Sequence, residues 1–567
     1  MSALTGAVPP SSQPTGSLAT GPVFGGPVSS GSVSSGSVFT GSGTLLRLAV
    51  RRDRVRIGVW LASLSLGTVA TAVALADVYA TDADREAVRL TMSTPAGLAF
   101  SGPAHHLTDY TLGSIISHQL LGFIAVFVGM MSVLFVVRHT RAEEEAGRAE
   151  LARAGVVGRH AQLTAALLLA VLTNLALMVL LATLMGLTGL ETVDWPGSLV
   201  YAAAHAAVGL TFAGVAAVTA QVTESSRGAN GLGLAAVGAA YLLRAAGDAG
   251  ENGLSWASPI GWAQQSFPYL DNRWWPLAIN VVAFIALAVL GMALSVRRDH
   301  GSGLRAPRRG REAATTALRT PLGFALRLHR GLLIGFALGL TVLGLSYGPF
   351  LGDIESQFAD IAIIADAMES IGGEVLIDSF LAMLIPIIGV VAAIYAVMAT
   401  MRTRSEETSG RGEPVLGTWQ SRTTFLGSNL AIALVGAPLM LLLAAGALAL
   451  TGQPVVDTPM VAKSLLVAAL QIPALWVFAG VAALLIGWAP RATWLVWALV
   501  AYAAVVSYLG PILQLPEWTG RLSPFAWVPR YPAEEITLLP LVVLTLVAGG
   551  LIAAGLIGFR RRDLETG

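Results

Sequence analysis

The sequence predicts an all-α membrane protein of twelve transmembrane helices arranged as two parallel six-helix repeats, and three observations carry that expectation. Of 567 residues, 54% are hydrophobic and only 12% are charged, with mean hydropathy +0.69, a balance that belongs to integral membrane proteins. Twelve apolar runs recur along the chain, most of them long enough at about 1.5 Å per helical residue to cross the hydrocarbon core of a bilayer. The charged stretch Arg141–Arg159, RAEEEAGRAELARAGVVGR, returns as Arg404–Arg422, RSEETSGRGEPVLGTWQSR, at a constant offset of 263 residues. An even number of spans per half gives both halves the same orientation, hence a parallel repeat.

Taken in order, residues 1–43 are almost wholly Ser, Gly, Thr, Pro, Val and Ala with no charge, so they are expected to form a disordered tail. The tail lacks the basic start of a secretory signal and is expected to stay on the protein. Leu45–Arg56 alternates apolar residues with five arginines and reads as a basic amphipathic helix lying on the inner membrane surface, ahead of a first span at Ile57–Tyr79. Spans follow at Thr111–Val137, Ala161–Leu187, Ser198–Val222, Gly228–Gly247 and Pro276–Val296, completing a first half, 44–300, whose charged loop is 138–160. A cytoplasmic linker, 301–323, and a second Arg-bearing amphipathic piece, Phe324–Arg330, open the second half, 324–567, whose charged loop is 402–423. Its spans are Gly331–Phe350, Leu376–Met401, Phe425–Leu450, Val461–Ile486, Ala492–Leu515 and Thr537–Phe559.

With both termini cytoplasmic, the inner segments hold 28 of the 35 Lys and Arg, as the positive-inside rule requires. The outer loops after spans one and seven carry the carboxylates Asp82, Asp84 and Glu86, then Asp353, Glu355, Asp360, Asp366, Glu369 and Glu374. Ser258-Pro259-x-x-Trp262 before span six recurs as Ser523-Pro524-x-x-Trp527 before span twelve. With Trp256, Trp274, Trp275 and Trp518, these tryptophans read as interfacial anchors, and the neighbouring prolines also permit a partly re-entrant piece.

Within the charged loops, Glu144 and Arg148, like Glu407 and Arg411, stand i,i+4 in the favourable order, predicting one or two turns of exposed helix in each. A loop that only enforced topology would need arginines but not Glu-Glu-x-x-Gly-Arg-x-Glu twice, so both loops are expected to meet something. The absence of cysteine excludes disulfides and thiol chemistry, and no soluble enzyme domain fits between the spans. Lys463 is the single lysine and stands in no phosphate-cradling loop, so the chain cannot be its own ATPase. No metal-ligand cluster or nucleophile motif appears, and no nucleic-acid partner is expected beside the lipid bilayer. Polar residues inside the spans include His118, Gln119, Asn174, His205, Arg244, Asn280, Asn429 and Gln471, each either functional or joining helices by hydrogen bonds. Arg244 is expected to pair with Asp248, and His118, Tyr241 and Arg244 are the candidates for a substrate path. No chain of intramembrane carboxylates suits a proton-driven pump.

Beyond its tail the chain resembles the ABC-2-type permeases of actinobacteria that export polyketide antibiotics, the tetronasin-type permeases among them. The resemblance rests on Glu143-Glu144-x-x-Gly147-Arg148-x-Glu150 closed by Arg159, on Glu406-Glu407-x-x-Gly410-Arg411-x-Glu413 closed by Arg422, on the six-plus-six layout, and on the Pro/Trp-rich loops before spans six and twelve. It implies a type V exporter-like permease fold in a bacterial plasma membrane, with connecting helices before spans one and seven. It also implies that those twelve loop residues form coupling helices docking two copies of a separate ABC ATPase subunit. ATP and Mg²⁺ would then belong to that partner, with no cofactor on this chain, and the cargo would be an amphipathic, drug-like molecule. Pro414, where the first copy has Leu151, is expected to end the second loop helix early. Two alternatives stand beside this reading: a proton-coupled carrier of the major facilitator kind, which also has twelve spans in two parallel halves, and a non-transporting scaffold.

Overall fold

A computed structural model describes residues 38–153, 157–299, 301–304, 312–348, 351, 373–418, 420–456, 459–509, 517–532 and 534–565. The tail up to residue 37, the loop carboxylates from Asp353 to Glu369 and the end of the span expected at Ala492–Leu515 lie outside the described residues. Within them the chain is helical throughout, with 3-10 turns and no strand.

The first half begins with α1 (Ser42–Val78), followed by two short helices, α2 (Asp82–Met92) and α3 (Pro95–Ser101). Next come α4 (Leu112–His139), the loop helices α5 (Arg141–Glu145) and α6 (Arg148–Arg153), α7 (Ala161–Gly186), α8 (Trp195–Val222), α9 (Ser226–Ala249), the short α10 (Pro259–Gln264) and α11 (Trp275–Val296). The second half contains α12 (Pro321–Tyr347), α13 (Gly373–Thr408), α14 (Gly412–Leu416), α15 (Arg422–Gly452), α16 (Met460–Leu470), α17 (Ile472–Trp488), α18 (Leu495–Leu509), α19 (Glu517–Gly520) and α20 (Leu538–Arg561). Helix starts follow local chemistry: Asp194 caps Gly197 N at 2.8 Å ahead of Pro196, and Ser225, Thr320 and Ser421 accept from the amide three residues on.

Ten helices among the described residues are long and apolar enough to cross a membrane, against the twelve expected. The difference falls on two elements. α9 has sufficient length, but five glycines with Asn230, Arg244 and Asp248 dilute its hydropathy, and α18 is described over only 15 residues. Both amphipathic pieces are continuous with the spans they precede. Leu45–Arg56 continues without a break into the first span as the 37-residue α1, and Phe324–Arg330 is likewise part of α12. A change from polar to apolar residues does not by itself end a helix, because the backbone hydrogen bonds run on regardless; here even Pro386 and Pro438 stand inside α13 and α15 without ending them. The remaining expected spans agree with the observed helices to within a few residues, except that Leu376–Met401 runs on to Thr408, that Val461–Ile486 is broken at Gln471 because Pro473 restarts the helix, and that Ala492–Leu515 is described only as far as Leu509.

α8 is the hub of the first group of helices, packing on α4, α7, α9 and α11 through a surface of alanines and glycines that lets backbones approach closely. α15 has the same place in the second group, against α12, α13, α16 and α17, while α17 packs closely along α20. The two largest hydrophobic cores separate cleanly: one draws its residues from Val69 to Met292, the other from Leu332 to Ile552, and neither borrows from the other.

Candidate functional site

Each charged loop begins where a long helix runs out of apolar residues. After α5, Gly147 takes a left-handed φ of +68°, and after α13, Gly410 takes +71°. That conformation favours glycine, and it accounts for the repeated Gly at this place. The kink also breaks the i,i+4 register, so the expected Glu144–Arg148 and Glu407–Arg411 pairs do not form. Arg148 Nε instead donates to Glu143 at 2.7 Å and Arg411 Nε to Glu406 at 2.9 Å, both five residues back across the glycine. The Glu143 carboxylate holds the Arg148 guanidinium above its ordinary pKa. Arg52 of α1 meets the same Glu143 at 2.5 Å, and Arg402 meets Glu406 at 3.2 Å.

Glu144 and Glu407 turn inward. Arg141 Nη1 reaches Glu144 at 2.8 Å, and Arg298 grips the same carboxylate with two nitrogens at 2.7 and 3.0 Å while its Nε donates to Gln221. In the second copy Arg404 lies 3.1 Å from Glu407, Arg562 grips it at 2.6 and 2.7 Å, and Arg562 Nε donates to the carbonyl of Ile486. Their side chains are 6% and 1% exposed, so these two carboxylates present nothing to a partner. Neither Arg298 nor Arg562 was singled out in the sequence, although Arg297-Arg298-Asp299 and Arg561-Arg562-Asp563 repeat at an offset of 264, one residue off the loop offset. Asp53 of α1 was missed as well. It is buried and binds Arg138 at 2.9 Å and His139 at 2.7 Å, tying α1 to the end of α4.

What faces outward from each loop is therefore Arg148 with Glu150, and Arg411 with Glu413, all exposed. Arg159 is exposed too, and Arg422 donates to the Arg562 carbonyl at 2.5 Å. Pro414 does not end its helix. It sits in the first turn of α14, where an amide has no intrahelical partner, and α14 runs on to Leu416. The chain just before α1 is held against the first loop, where the Gly158 and His160 amides donate to the Thr40 and Val38 carbonyls at 2.8 and 3.0 Å.

At the opposite end of the first helix group the three substrate-path candidates converge on one turn. Tyr241 Oη and Arg244 Nη2 both donate to the Phe100 carbonyl at 3.3 Å, with the guanidinium 4.4 Å from the Tyr241 ring centroid. His118 Nε2 lies 3.0 Å from Ser101 Oγ, and its Nδ1 lies 3.0 Å from Tyr110 Oη. Arg244 also faces Asp248 at 3.6 Å, the pair the spacing anticipates. Gln264, which no motif or spacing singles out, joins them from α10 and donates to the Ser101 carbonyl at 2.7 Å. The φ of +152° at Gly102 favours glycine, and a Cβ there would displace that amide, which lies 2.6 Å away. Arg244 Nε and Gln264 Oε1 are buried without a partner among the described residues. At the rim, Asp271 lies 2.8 Å from His105 and 2.5 Å from Arg273, and hydrogen bonding to His105 with Arg273 beside it holds its carboxyl below the usual range. The Ser-Pro-x-x-Trp repeats also have a shared geometry: Trp262 and Trp527 each donate to the carbonyl six residues back, of Trp256 and Arg521, at 2.6 and 2.8 Å.

The family model described as "Multidrug efflux system permease Rv1217c, C-terminal domain" matches residues 43–294 and 318–560. The chain is also 38% identical over 536 residues to the multidrug efflux system permease protein Rv1217c of Mycobacterium tuberculosis (strain ATCC 25618 / H37Rv), an alignment covering 92% of this chain and 96% of that protein. With those matches, the ten membrane-capable helices and the paired charged loops, the chain belongs to the multidrug efflux system permease (Rv1217c) family and is a multi-pass membrane transport permease.

Proposed function

We propose that the chain is the transmembrane subunit of an ATP-driven exporter that moves amphipathic, drug-like or antibiotic molecules out of the cell, energised by two copies of a separate ABC ATPase subunit that bind ATP and Mg²⁺. In this reading α9 and α18 also cross the membrane, giving twelve spans in two parallel six-helix repeats of the ABC-2, type V exporter-like kind, with halves 44–300 and 324–567, linker 301–323 and both termini in the cytoplasm. The tetronasin-type polyketide exporters are the subfamily whose loop motif it shares.

The observation that carries this reading is the repeated geometry of the two loops. In each, a buried Glu clamped by two arginines anchors the loop to the ends of its own helix group, and a glycine kink then presents an Arg and a Glu to solvent. Anchored firmly on one side and exposed on the other, such a loop transmits a push from a docked motor into the helices. Arg148, Glu150, Arg411 and Glu413 contact the motor, Glu143, Glu406, Arg159 and Arg422 frame the contact, and Glu144 and Glu407 hold it in place. His118, Tyr241 and Arg244 lie on the substrate path near its outer end, where the unpartnered Arg244 Nε and Gln264 Oε1 offer one donor and one acceptor to a polar group of the cargo.

The test compares Arg148→Ala/Glu150→Ala and Arg411→Ala/Glu413→Ala with wild type for motor co-purification and drug-stimulated ATPase activity. Truncating charges that meet partner charges costs roughly 2–5 kcal/mol, so motor occupancy is expected to fall by about tenfold or more. Full binding and full stimulation in both double mutants would remove the loops from the coupling path.

A further inference from the structure

Glu145, the third glutamate of the first charged loop, closes α5 and meets the start of α9. Its carboxylate accepts the Ser226 amide at 2.9 Å and also the Ser226 hydroxyl, while Ser225 caps the same helix through the Gly228 amide at 3.0 Å. A carboxylate there satisfies an amide without an intrahelical partner and lies at the positive end of the helix dipole. The same loop also holds the end of α8, where Arg141 Nε donates to the Ala220 carbonyl at 3.1 Å. Thr408, 263 residues on from Glu145, does otherwise: its hydroxyl donates back to the Arg404 carbonyl at 3.0 Å within α13. From Ser226 to Arg244, α9 runs for about 27 Å at about 1.5 Å per residue, with Ala229, Gly233, Val237, Ala240 and Arg244 buried along its length. At its far end Tyr241 and Arg244 hold the Phe100 carbonyl, and Ser258 Oγ donates to the Ala240 carbonyl at 2.7 Å. The helix is thus fastened at one end to the charged loop and at the other to the turn on which the substrate-path residues converge.

We propose that Glu145 is a positioning residue that makes α9 the rod through which the first charged loop drives that turn. When the loop is displaced, the Glu145 carboxylate carries the first turn of α9 with it. A hydrogen-bonded helix passes an axial shift along its length, and Tyr241 and Arg244 deliver it to the Phe100 carbonyl and so to Ser101 and His118. Because Thr408 bonds within its own helix, this drive belongs to the first half. The inference rests on the motor docking proposed above and adds a separate step to it: docking uses the exposed Arg148 and Glu150, whereas transmission uses Glu145 once the motor is bound.

The experiment assembles the full chain with its motor and reads three quantities: motor co-purification, drug-stimulated ATPase activity, and external labelling, with and without ATP, of a cysteine introduced at Ala104 beside the turn. Glu145 is exposed, so Glu145→Ala is expected to fold and to bind the motor as wild type does, yet to lose both the drug stimulation and the ATP-dependent change in labelling. Glu145→Gln, whose side chain can accept from the Ser226 amide and donate to its hydroxyl, is expected to keep both, and so is Thr408→Ala. Full stimulation with an unchanged labelling response in Glu145→Ala overturns the proposal, as does an equal loss in Glu145→Gln or Thr408→Ala. Loss of motor binding in Glu145→Ala would place that residue in the dock and overturn it too. A wild type that binds no motor would sink the docking reading and this inference with it, whereas a stimulated wild type beside an equally stimulated Glu145→Ala sinks the inference alone.

Discussion

Glu143 and Glu144 are neighbours in sequence and opposites in environment. Glu143 meets Arg148, a side chain about half exposed, whereas Glu144 is enclosed with Arg141 and Arg298. Removing one partner of a buried ion pair strands the other charge, so Glu144→Ala or Arg298→Ala is expected to destabilise the protein by roughly 3–5 kcal/mol. Arg148→Ala loses only an exposed contact and is expected to cost less than about 1 kcal/mol. Thermal unfolding of the purified variants checks this ranking, and equal midpoints for Arg298→Ala and Arg148→Ala would refute it. The sequence displays both glutamates with equal weight, because adjacent positions on a helix differ by about 100° in direction and nothing local says which one faces the bundle. The twin Arg-Arg-Asp triplets after the last helix of each half were legible, but their partners lie more than 150 residues away and only the fold joins them.

At the scale of elements, the loop helices depend on one left-handed residue each. A Cβ at Gly147 or Gly410 would meet nothing within 4 Å, so an alanine there suffers backbone strain without a clash. That strain is about 1–2 kcal/mol, and its relief would carry Arg148 away from Glu143 or Arg411 away from Glu406. Gly147→Ala and Gly410→Ala are therefore expected to fold with slightly lowered midpoints yet to lose motor stimulation, whereas Gly→Asn, which tolerates the left-handed region, keeps more of it. Stimulation unchanged in both alanine variants would show that the kink is not needed. Long apolar runs placed the spans well, since burial in lipid demands about 20 such residues whatever the packing. The amphipathic piece ahead of the first span runs straight into it, because helix propensity continues through Arg56 into Ile57 with no breaker between them.

For the molecule as a whole, orientation is the property that the positive-inside count makes testable. Cysteines introduced at Ala146 and Ser409, both exposed, are expected to react only from the cytoplasm, and one at Ala83 only from outside; Ser356, the matching outer position, lies outside the described residues. Labelling of position 146 by an impermeant reagent in intact cells would invert the topology. Because neither large hydrophobic core takes a residue from the other half, each half holds what it needs to condense by itself. A gene divided into two cistrons between the codons for Leu304 and Thr316 is then expected to yield two polypeptides that insert separately, co-purify and complement one another, as though a fusion had been undone.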